Sequence, residues 1–99
     1  MAAPFISGMG AIASPGVTTA KILASFRAGI SRPGRLTLFE SPLDLPVFEA
    51  TGFVAAHPYE DGVRTCELAT LAAREALEDS ALDPCLLARS RVGDCLGPT

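Results

Sequence analysis

The chain has 99 residues, 48% of them apolar and 19% charged, with a net charge of −3. That length holds one small domain, and the apolar content excludes an intrinsically disordered chain. The eight Lys and Arg form no basic stripe, which argues against nucleic acid or an anionic membrane surface as partner.

No run approaches the ~20 apolar residues of a membrane span. The first Lys is Lys21, so the basic start of a signal peptide is missing, and Gly8, Gly10 and Pro15-Gly16 interrupt the apolar stretch. A cytoplasmic location is expected. Cys66, Cys85 and Cys95 are odd in number and include no C-x-x-C, which fits reduced thiols rather than disulfides or a zinc site.

In chain order, an apolar strand is expected near residues 4–9. It runs into Gly8-Met9-Gly10-Ala11-Ile12-Ala13, a G-x-G-x-x-A spacing found in dinucleotide sites. Such a site needs a helix beginning at the glycines, with its first N–H groups facing the pyrophosphate. Pro15 and Gly16 would break that helix at once. The acid expected ~20 residues on is also missing, because the window 26–32 holds no Asp or Glu. The glycines therefore read as sites of close packing or unusual backbone angles.

Ser14-Pro15-Gly16 marks a turn. A helix over about 18–28 follows, capped by Thr18 or Thr19 and closed by Gly29, with Ile22, Leu23 and Phe26 on one side. The Pro-rich middle suggests loops with strands near 35–39 and 47–55. Residues 63–80, VRTCELATLAAREALEDS, form the clearest helix. Its polar stripe of Glu67, Thr70, Arg74 and Glu78 is narrow, so burial on more than one side is expected. Asp83-Pro84 marks a turn, and a last strand is expected near 91–96.

The order of these pieces resembles a β-ketoacyl synthase of the thiolase-like superfamily. "FISGMGAIASPG" is similar to the family's opening strand and small-residue turn, and "LASFRAGIS" to the end of its first helix. "LFES…LPVFEATGFV", "LATLAAREALEDSALDP" and "RVGDCLGPT" resemble later segments in the same order. Thr51, Ser80 and Asp94 depart from the family pattern. The resemblance implies an α/β fold, a piece of the layered α/β/α/β/α thiolase-like architecture, with residues 1–99 as the incomplete amino-terminal part of one domain. It also implies decarboxylative condensation of acyl thioesters without metal or cofactor, and acyl carrier protein and a homodimer partner for the full-length enzyme.

The family's nucleophilic Cys and both catalytic His residues would lie beyond this chain. No catalytic, cofactor-binding or metal residue is therefore assigned. Cys66 and Cys95 read as packed thiols, Cys85 as an exposed one, and His57 as a surface or packing residue. Glu60-Asp61 and Glu78-Asp79 read as solvated pairs. Two alternatives of other classes remain: a non-catalytic module binding a ketosynthase partner or acyl carrier protein, and a small nucleotide-binding protein.

Overall fold

A computed structural model describes residues 3–31, 33–53 and 63–97. His57, Glu60, Asp61 and the last two positions of the strand expected over 47–55 lie outside the described residues. Three helices follow in order: α1 (Thr19–Arg27), α2 (Val63–Ser80) and α3 (Pro84–Arg89).

The ends of α1 are written in local chemistry. Thr18 is extended, and its hydroxyl accepts from the Lys21 N–H at 3.2 Å, satisfying one free donor of the first turn. At the other end Gly29 takes φ +66°. The Gly29 N–H donates to the Phe26 carbonyl at 3.1 Å and the Ile30 N–H to the Ser25 carbonyl at 2.9 Å. This paired closure is a Schellman motif. The turn before α1 is also as expected, with Ala13 and Gly16 exchanging hydrogen bonds of 2.9 and 3.1 Å.

The bounds of α2 are those expected, but its surroundings differ. No residue of α2 is buried. One face is half-covered, and it carries Glu67 and Glu75 alongside Leu68, Leu71, Ala72 and Ala76. α3 was not expected. Its start is nevertheless legible, because Asp83 caps it by accepting from the Cys85 N–H at 2.9 Å, with Pro84 at the first helical position.

The α/β expectation is wrong for this chain. Among the described residues helix makes up 39% and strand 5%, with no sheet, so this is not an α/β thiolase-like piece. The segments expected as strands near 4–9, 35–39, 47–55 and 91–96 form none among the described residues. Among the described residues, extended pairing is confined to isolated bridges at Ala13–Gly16 and Gly34–Val47.

The physical reason is where the backbone hydrogen bonds go. Met9 and Ala11 donate their N–H groups to the Asp79 and Glu75 carboxylates of α2, not to a neighbouring strand. Thr37 and Leu38 donate theirs to the Glu49 carboxylate. Residues 91–96 are exposed throughout.

The surface is correspondingly large. A compact protein of 10.2 kDa would expose ~5,300 Å² by size scaling, whereas this chain exposes 8307 Å². Its radius of gyration is 16.5 Å, against ~13 Å for a compact domain of this length. No apolar side chain among the described residues is buried; the buried residue is Ser25, 8% exposed, whose hydroxyl donates to the Pro15 carbonyl at 2.8 Å.

Candidate functional site

The densest polar arrangement is centred on Glu75. It grows from the close approach of residues 8–11 to α2. A Cβ on Gly8 would overlap the Ala76 carbonyl, and one on Gly10 the Ala72 carbonyl and, at 2.7 Å, the Ala76 nitrogen. These obstacles are helix backbone, which cannot step aside. The two glycines are therefore what lets an extended chain lie directly on a helix.

That approach delivers backbone donors to acidic side chains. Glu75 Oε2 accepts from the Ala11 N–H at 2.9 Å. Glu75 Oε1 accepts from the Thr19 N–H at 2.8 Å and from the Thr19 hydroxyl at 2.9 Å. Asp79 Oδ2, one helical turn further along, accepts from the Met9 N–H at 2.9 Å. Hydrogen bonds from Ala11 and then Thr19 hold the Glu75 carboxyl below the usual glutamate value; partial desolvation opposes them and loses.

The spacing is commensurate. Two residues of extended chain advance ~6.6–6.8 Å, and four residues of helix ~6.0 Å. Met9 and Ala11 thus match Asp79 and Glu75, and the segment runs antiparallel to α2.

A second carboxylate closes the loop between 35 and 49. Glu49 accepts from the Thr37 N–H and the Thr37 hydroxyl, each at 2.6 Å, and from the Leu38 N–H at 3.3 Å. The Thr37 hydroxyl is the largest influence lowering its pKa, with the Arg64 charge adding a smaller one. Arg64 itself donates to the Ala50 carbonyl at 2.6 Å and lies 5.1 Å from the Phe53 ring centroid. Both charged groups are engaged in holding loop backbone.

Neither arrangement suits catalysis. A carboxylate with both oxygens accepting hydrogen bonds and a lowered pKa is a poor general base. The nucleotide reading fails too. Residues 8–11 form no helix, α1 starts only at Thr19, and a carboxylate occupies the helix start where a phosphate would sit.

All three cysteines are exposed, which corrects the packed environments expected for Cys66 and Cys95. The described residues contain no histidine, so they build no Cys–His pair. They also contain no cluster of three metal-ligating side chains. One concavity, about 940 Å³, is lined by residues 35–45 alone. No helix among the described residues is long and apolar enough to cross a membrane.

Sequence reading missed the roles of Glu75 and Asp79. The available signal was their spacing of four beside Ala72 and Ala76, which places two acids along a face open to close approach. No protein-family model matches the chain, and neither does any curated protein or solved structure.

Proposed function

We propose that the chain is an amino-terminal segment of a β-ketoacyl synthase-like acyltransferase, without the catalytic Cys and His residues and inactive alone. The reading rests on the ordered sequence resemblance and not on architecture. Uncovered apolar side chains accord with it: Phe5 is 85% exposed, Ile6 80% and Leu96 86%. A chain that leaves such groups in water has surface to give to a partner. The alternative, a non-catalytic module that binds a ketosynthase partner or acyl carrier protein, draws on the same surface.

The test has two parts. Purified chain is incubated with an acyl thioester and malonyl-acyl carrier protein, and condensation is measured; none is expected, and turnover would overturn the inactive assignment. The chain is then co-expressed with a β-ketoacyl synthase lacking its corresponding opening segment. Recovered condensation supports the segment reading. A stable complex without condensation favours the binding module. Neither complex nor activity removes both.

A further inference from the structure

We infer that Glu75 is a proton-released latch: ionised, it fastens both the amino-terminal segment and the start of α1 to α2, and protonated, it lets both go. The geometry carries this. Glu75 reaches two stretches of chain with one carboxylate, Ala11 through Oε2 and Thr19 through Oε1. Thr19 is the first residue of α1. Its N–H is among the free donors of that helix, and the carboxylate faces the positive end of the helix dipole.

The start of the fastened segment is not held by its large side chains. Phe5, Ile6 and Met9 are exposed, so their side chains do not anchor it. Met9 on Asp79 and the glycine contact with α2 add to the hold. Protonating Glu75 removes the charge that strengthens all three of its hydrogen bonds and faces the start of α1.

Few other ionisable groups compete. Residues 3–18 carry none. α1 contributes Lys21 and Arg27, both exposed, and α2 contributes Arg74, Glu78 and Asp79 beside Glu75. The sign follows from the lowered pKa. The latch is closed above the ordinary glutamate value of 4.5 and opens as pH falls through the lower folded value.

The test follows backbone amides of the full chain by NMR from neutral pH into acid. The Ala11 and Thr19 amide signals are expected to shift together, with one midpoint below 4.5. In Glu75→Gln that shared transition disappears. In Asp79→Asn Ala11 and Thr19 keep their shared transition, and its loss there would overturn the latch. This second variant decides the matter if Glu75→Gln does not fold. Ala11 and Thr19 signals that stay flat, move with separate midpoints or still titrate together in Glu75→Gln would overturn the latch. So would a chain with no dispersed amide spectrum at neutral pH.

Discussion

Gly10 and Ala81 show opposite ways in which one residue can suit its backbone. Gly10 lies against α2 where no Cβ fits. Gly10→Ala is expected to push residues 8–11 off the helix at a cost of about 1–3 kcal/mol, the usual scale of overpacking. A lower urea midpoint and faster amide exchange at Met9 and Ala11 would register it. Ala81 ends α2 with φ +52°, a left-handed conformation in which its Cβ is penalised. Its N–H still donates to the Glu78 carbonyl at 3.2 Å. Ala81→Gly is expected to relieve that penalty and stabilise the chain by about 1 kcal/mol, read as a raised urea midpoint. Glu49 and Glu75 belong at this scale as well. Each has a pKa below 4.5 in the fold through hydrogen bonds to its carboxylate. Their stabilisation is therefore present above pH 4.5 and is lost as pH falls through the folded values. Helical circular dichroism should fall in that acid window, and Glu49→Gln or Glu75→Gln should flatten part of the fall.

At the scale of elements, the helices follow from their own end chemistry. Thr18→Ala removes the hydroxyl that caps α1 and should destabilise that helix by about 1 kcal/mol. Gly29→Ala should cost a similar amount, since Gly29 holds φ +66°. Both losses are measurable as reduced helicity at a fixed urea concentration. The bounds of α2 were legible because Ala and Leu dominate and neither Gly nor Pro interrupts. Which face of α2 would be covered was not legible. Apolar periodicity names candidates, but the covered face is chosen by whatever chain arrives, and here a glycine-bearing segment arrives at the side of Glu75. α3 was missed although Asp83-Pro84 is a helix-start signal, because the same dipeptide equally opens a turn.

For the whole molecule, uncovered apolar surface outweighs any site. Phe5, Ile6, Phe26, Phe48 and Leu96 are all exposed. Burying one such side chain is worth about 1.5–3 kcal/mol, so a partner covering several would contribute more than any single hydrogen bond described above. The isolated chain is expected to bind an apolar dye and to sediment as larger species as its concentration rises. A monodisperse, dye-negative monomer at high concentration would mean that these side chains find cover within the chain itself. The candidate site is of the same kind: its carboxylates hold pieces of backbone together, and its cysteines have no histidine partner among the described residues.

The amino-acid sequence alone determined what depends on near neighbours: α1 with a threonine cap at Thr18 or Thr19 and its Gly29 closure, the turn at Ala13–Gly16, and the extent of α2. These rest on hydrogen bonds and backbone angles within a few residues, so local residue type is sufficient. Only the tertiary structure decided that residues 4–9 are not a strand, that Gly8 and Gly10 pack against the backbone of α2, and that Glu75 joins α2 to the start of α1. A strand exists only if another strand accepts its N–H groups. At Met9 and Ala11 carboxylates distant in sequence accept them instead, and the residues of that segment do not by themselves encode the choice.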